Sequence, residues 1–145
     1  MKKIILIALS LSTFLFANFT KNGDIVTDIT TGLQWQDDAN AKNVTKTWSE
    51  AIEYCEKLTL GGYDDWRLPN INELKSIIDW SKFRPAIYDS FTNIYYNADF
   101  FYWSSTTSSS HMEKYAWYVK FYDGTIRDYG EKRQPAYVRC VRTRQ

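Results

Sequence analysis

Histidine is almost absent from this 145-residue chain, with His111 the single example, and cysteine is confined to Cys55 and Cys140. A lone histidine in a serine-rich stretch beside Met112 supplies no positioned base, and no serine stands in a Gly-x-Ser-x-Gly setting that would expose it on a strained elbow. The sequence therefore points away from an enzyme. The cysteine spacing matches no zinc site, so neither a metal nor a cofactor is expected. Charge of one sign is lacking too: the formal charge is +1 and falls to −1 without Lys2 and Lys3, which argues against nucleic acid as a partner. The longest apolar run, Ile4 to Phe16, is short of the roughly 20 residues that cross a bilayer, so no span is expected once it is removed.

That run has another use. Lys2 and Lys3 form a basic start, the apolar stretch follows, and Ala17 is a small residue suited to cleavage, so residues 1–17 read as a secretory signal peptide. The remainder, 18–145, is about 128 residues, a common size for one domain with one core. Export places the protein in the periplasm, in the medium or at the cell surface. In that setting two cysteines are expected as a single disulfide between Cys55 and Cys140.

Aromatic residues are abundant at 17% of the chain, too many to be core filler alone in a domain of this size. Trp35, Trp48, Trp66 and Trp103 are expected inside, and Tyr95 and Tyr96 outside. Asp24 to Asp28 and Thr31 to Gln36 read as two strands of a hairpin. Thr47 with Glu50 and Asn70 with Glu73 are capping boxes, which predict helices over about 48–58 and 71–80. From Ser81 to Phe101 no period persists, and the segment reads as a long ordered loop, the kind that carries binding residues. Strands follow over 102–106, 115–122, 125–129 and 136–142, with Asp123-Gly124 turning the middle pair. On the last strand the Cys140 face is expected to be the buried one.

Five blocks stand out in order: Asp28-x-x-Thr31-Gly32-Leu33-x-Trp35-Gln36, Trp48-x-Glu50-Ala51, Trp66-Arg67-Leu68-Pro69-x-x-x-Glu73-Leu74, Tyr102-Trp103-Ser104-Ser105 and Val138-Arg139-Cys140-Val141. In these the chain resembles the Lcl C-terminal domain family, named for the terminal domain of a bacterial collagen-like adhesin. The resemblance covers nearly all of 18–145. It implies an α+β, C-type lectin-like fold, similar also to the formylglycine-generating enzyme group, with two helices packed on small twisted antiparallel sheets and the chain ends close together. It also implies adhesion, since the adhesin is associated with sulfated polysaccharides at the cell surface. The chain departs from its likenesses in three ways. It has no collagen tripeptides. It lacks the lectins' Glu-Pro-Asn and carries Trp103-Ser104-Ser105 where they have Trp-Asn-Asp. Both its cysteines are assigned to the disulfide, so the enzyme chemistry does not carry over.

Local charge supplies the candidate site. Arg127, Lys132, Arg133, Arg139, Arg142 and Arg144 fall in the last third of the chain, and from Thr125 onward only Asp128 and Glu131 oppose them. Guanidinium groups match sulfate and carboxylate bidentately, and tyrosine rings can lie on sugar faces. Tyr95, Tyr96, Arg127, Tyr129 and Arg133 are thus the candidate ligand-binding residues. The plainer possibility is that these arginines pair with acids elsewhere. Asp89, Asn93, Asn97 and Asp99 read as solvated loop residues in preference to a calcium cage. The expected function is an exported binding module for an acidic polysaccharide or a protein of the envelope. The alternative is an envelope assembly component with a protein partner and no carbohydrate.

Overall fold

The computed structural model describes residues 18–110 and 113–144; the leader read over 1–17 and His111 lie outside the described residues. Twelve elements follow in order: β1 (Phe19–Asn22), β2 (Ile25–Asp28), β3 (Leu33–Gln36), α1 (Asn40–Asn43), β4 (Thr45–Lys46), α2 (Trp48–Glu56), α3 (Ile71–Ser76), β5 (Tyr102–Thr107), β6 (Tyr115–Lys120), β7 (Thr125–Glu131), β8 (Ala136–Tyr137) and β9 (Val141–Thr143). One sheet runs β1-β2-β3-β9 and the other β4-β8-β5-β6-β7. All pairings are antiparallel except that of β5 with β8. The fold is α+β, as the sequence predicts, with one disulfide joining Cys55 to Cys140.

Both main helices begin where their caps predict. The Glu50 carboxylate accepts from the Thr47 N–H at 3.0 Å and from its hydroxyl at 2.8 Å. At α3 the exchange is reciprocal: Asn70 Oδ1 accepts from the Glu73 N–H, and Glu73 accepts from the Asn70 N–H, both at 2.9 Å. The helix ends differ from expectation. α3 stops at Ser76, not Trp80, and Trp80 is left 64% exposed. The short α1, β1 and β4 are additional. β1 escapes sequence detection because three of its four residues are exposed, so it shows no apolar alternation.

The last strand is corrected more substantially. Residues 136–142 divide between the two sheets, and Val138-Arg139-Cys140 cross from one to the other. Every residue from Ala136 to Arg142 is therefore buried, where alternation had predicted one covered face. Trp35, Trp66 and Trp103 are buried as expected. Trp48 is only half-buried, with the Lys132 ammonium 3.8 Å above its ring.

Side chains of the recurring motifs are committed to this frame. Trp66 Nε1 donates to the Leu60 and Tyr63 carbonyls, and the Arg67 fork meets both oxygens of Glu73 at 2.7 Å. Arg67 also exchanges backbone hydrogen bonds with Val141. Tyr102 donates to the Ala41 carbonyl, Trp103 to that of Lys46 and Ser104 to that of Trp117. Arg139 donates to the Gln36 carbonyl and the Asp37 carboxylate. The motifs specify a scaffold, which is why they identify the fold so well.

Two core clusters result. One gathers Val26, Trp35, Leu74, Ile77, Tyr102, Val119, Phe121 and Tyr137; the other gathers Cys55, Trp66, Leu68, Trp103, Tyr118, Val138 and Cys140. Neighbours along β5 and β6, such as Tyr102 and Trp103 or Tyr118 and Val119, go to different clusters, so the larger sheet carries one on each face. Residues 81–101 form no helix or strand, as expected. That loop is held by Asp37, which accepts from the Thr92 and Asn93 N–H groups at 3.0 and 3.1 Å.

Candidate functional site

β7 is the outer strand of the larger sheet, paired only with β6. Along it Arg127 stands opposite Tyr118 and Gly130 opposite Ala116, so Asp128 and Tyr129 together oppose the single residue Trp117. Such a bulge bends the strand and redirects a side chain. Here Tyr129 meets the Tyr118 ring edge-on at 5.8 Å and 90°. Tyr118 is itself stacked on Phe101 at 4.1 Å. Gly130 makes the approach possible, since a Cβ there would come within 2.8 Å of Tyr118 and 2.6 Å of Trp103.

The outcome is an exposed phenol, 51% accessible, braced by two rings behind it and flanked by the exposed Arg127. The two phenols shift each other in opposite directions. Burial first, and then its neighbour Tyr129, push the Tyr118 hydroxyl up. Tyr118 and the Arg127 guanidinium draw the Tyr129 hydroxyl down. Lys120 shares Tyr118's side of the strand and donates to the Ala98 carbonyl at 2.8 Å, tying the end of the long loop to this edge. Arg127, Tyr129 and Lys120 together present two cations and a polarised hydroxyl, a donor set suited to sulfate or carboxylate.

The remaining candidates lie elsewhere. Tyr95 stacks on Tyr137 at 4.6 Å, and Phe100 packs edge-on against both. Tyr137 belongs to the first core cluster and Tyr118 to the second, so Tyr95 sits on the face opposite Arg127. Tyr95 and Tyr96 are 36% and 46% exposed, as the sequence predicts. Arg133 is exposed beyond the far end of β7, beside a cleft of about 310 Å³ that also takes Glu113, Lys114, Glu131 and Lys132. Its surroundings mix both signs of charge.

Two arginines of the predicted basic surface are corrected outright. Arg139 is fully buried against Asp37. Arg142 is 5% exposed, forks onto Asp65 at 2.5 and 3.0 Å and lies 3.7 Å from the centre of the Tyr63 ring. Both were drawn inward by acids distant in sequence. Sequence reasoning missed Lys120, Tyr118 and Phe101; the alternation of Tyr118 and Lys120 opposite Arg127 was the available signal. Among the described residues, no group of three or more His, Cys, Asp or Glu could hold a metal ion, and no helix is long and apolar enough to cross a membrane.

The family model described as the Lcl C-terminal domain matches residues 24–142. No curated protein matches the chain.

Proposed function

The chain belongs to the Lcl C-terminal domain family, and from that premise we propose that it is an exported, non-enzymatic recognition domain that binds acidic polysaccharide at the cell envelope through Arg127, Tyr129 and Lys120. The observation carrying this reading is the braced, exposed Tyr129 beside an exposed guanidinium on an outer strand. A ring already fixed by its neighbours loses little rotamer freedom on binding. The commitment of both cysteines to the disulfide supports a role without covalent chemistry.

The test is retention of the mature protein on a heparin column. At low salt it is retained, and raised salt releases it because exposed charges are screened. Arg127→Ala elutes at lower salt than the parent. No retention at low salt overturns the acidic-glycan reading.

A second reading draws on the opposite face, where Tyr95, Tyr96 and Phe100 are all exposed within six residues. This aromatic group favours an envelope protein as partner. Cross-linking in the native envelope that yields one stoichiometric protein, lost on Tyr96→Ala, supports it.

A further inference from the structure

Lys132 repeats, further along the same face, the pairing of cation and ring that Arg127 makes with Tyr129. Its ammonium lies 3.8 Å from the centre of the Trp48 ring and donates to the Thr107 hydroxyl at 2.9 Å. Its backbone is pinned from two sides: the N–H donates to the Lys114 carbonyl, and the carbonyl accepts from the Trp48 N–H, both at 3.0 Å. A cation fixed in this way has little freedom left to lose on binding. Trp48 packs against the second core cluster, which contains Ala116 and Tyr118. Thr107 stands opposite Ala116, and Arg127 opposite Tyr118. Lys132, Arg127 and Tyr129 therefore share one face of the larger sheet. Along β6 and the residue before it, Tyr118 to Lys114 spans the gap between the two cations, roughly 14 Å of extended chain.

These cations lack acids of their own. Lys21, Lys57, Arg67, Lys82, Arg139 and Arg142 each meet a carboxylate, whereas among the described residues Lys120, Arg127, Lys132 and Arg133 are in no ion pair. Asp128, the acid next to Arg127, accepts from the Ser108 and Ser110 hydroxyls. At the far end the cleft of about 310 Å³ holds Lys114, Lys132 and Arg133 against Glu113 and Glu131, which leaves one cation in excess. Burial draws the Lys132 ammonium below its ordinary value, and Glu113 offsets this only in part. An arriving anion favours the charged form and completes what Glu113 leaves undone.

We propose that Lys132, with Arg133 beside it, is a second anion subsite on the Arg127 face, so that the ligand is a linear acidic polysaccharide lying along β7 with one anionic group at each end. This rests on the acidic-glycan reading above and adds a length and a direction to it. A polysaccharide carries its charges on rings strung along a chain, which suits two cations set apart and each held beside an aromatic ring. An acidic protein segment brings carboxylates without rings. A short fragment held at Arg127 does not reach Lys132, and a longer one does.

The experiment titrates the mature protein by calorimetry with a heparin-derived disaccharide and octasaccharide. Affinity rises with length in the parent. In Lys132→Gln the disaccharide binds as before, and the octasaccharide binds about tenfold more weakly than to the parent. Glu113→Gln binds the octasaccharide more tightly than the parent does, and because it leaves the contact of Lys132 with Trp48 in place it decides the matter even where Lys132→Gln lowers the melting temperature. Tryptophan fluorescence gives a readout separate from affinity. The octasaccharide changes the emission of the parent, since an anion at Lys132 alters the charge over the Trp48 ring, and the disaccharide and Lys132→Gln show no such change. Equal octasaccharide affinity in the parent, Lys132→Gln and Glu113→Gln, with binding lost in Arg127→Ala, overturns the subsite and leaves the acidic-glycan reading in place. Failure of both fragments to bind the parent overturns both. Polyglutamate that binds as tightly as the octasaccharide, with the same loss in Lys132→Gln, assigns the surface to an acidic protein and overturns the polysaccharide.

Discussion

Arg139 donates to the Asp37 carboxylate over 2.8 Å, and solvent reaches neither side chain. The same carboxylate also takes the Lys21 ammonium and the backbone of Thr92 and Asn93. One acid thereby joins the first strand, the crossing segment between sheets and the long loop.

Removing one partner of a buried pair strands the other charge. Asp37→Asn is expected to lower the unfolding free energy by about 3–5 kcal/mol in urea denaturation. Amide exchange at Thr92 and Asn93 accelerates with it. Burial pushes the Asp37 carboxyl up, but Arg139, Lys21 and the Thr92 N–H more than offset this and hold it below its ordinary value. A depressed folded value means that the contribution is complete above the unfolded value of about 3.9 and disappears as pH falls through the folded one. The stability difference between parent and Asp37→Asn therefore narrows under acid. A constant gap across that range speaks against an ionised Asp37.

The disulfide closes a loop of 85-residue separation. Cys55→Ser with Cys140→Ser is expected to cost roughly 4–5 kcal/mol in the chain-entropy account. Thermal unfolding of the double variant beside the oxidised parent measures it; equal melting temperatures refute the expectation.

Gly130 makes a sharper test because its backbone does not demand glycine and its neighbours do. Gly130→Ala drives a methyl into Trp103 and Tyr118, at 2.6 and 2.8 Å before any adjustment. Overpacking of this kind costs about 1–3 kcal/mol. Tyr118 has to move, so Tyr129 loses its brace and the salt needed for elution from heparin falls as well. A variant as stable as the parent would show that the rings yield freely.

Tyr129 is expected to titrate before Tyr118 in an alkaline ultraviolet difference titration, since its neighbours Tyr118 and Arg127 favour its phenolate. In Tyr129→Phe the early component vanishes. Tyr118 then ionises at lower pH than in the parent, still above an ordinary tyrosine because burial is its larger cause. Unchanged ionisation of Tyr118 would mean the phenols are uncoupled.

What the sequence disclosed was local or covalent. The caps at Thr47 and Asn70, the exposed loop tyrosines and the cysteine pair follow from near neighbours or from redox setting. Arg139 could not be placed that way, because Asp37 lies 102 residues away and charge counting within a segment cannot see it. The same holds for Arg142 and Asp65, 77 residues apart. The bulge at Asp128 and Tyr129 was hidden for another reason: two residues opposite one break the alternation from which facing is inferred. Trp80 was assigned to a helix that ends earlier, and its exposure followed unseen.

The crosslink also has a mechanical meaning. A pull applied between the two chain ends travels up to Cys55, crosses the sulfur bridge and leaves at Cys140, so residues 56–139 bear no axial load along their backbone. Lys120, Arg127 and Tyr129 all lie in that shielded span. Under flow or traction, tension peels the outer strands of the small sheet first, while the segment that carries Arg127 and Tyr129 remains covalently gathered.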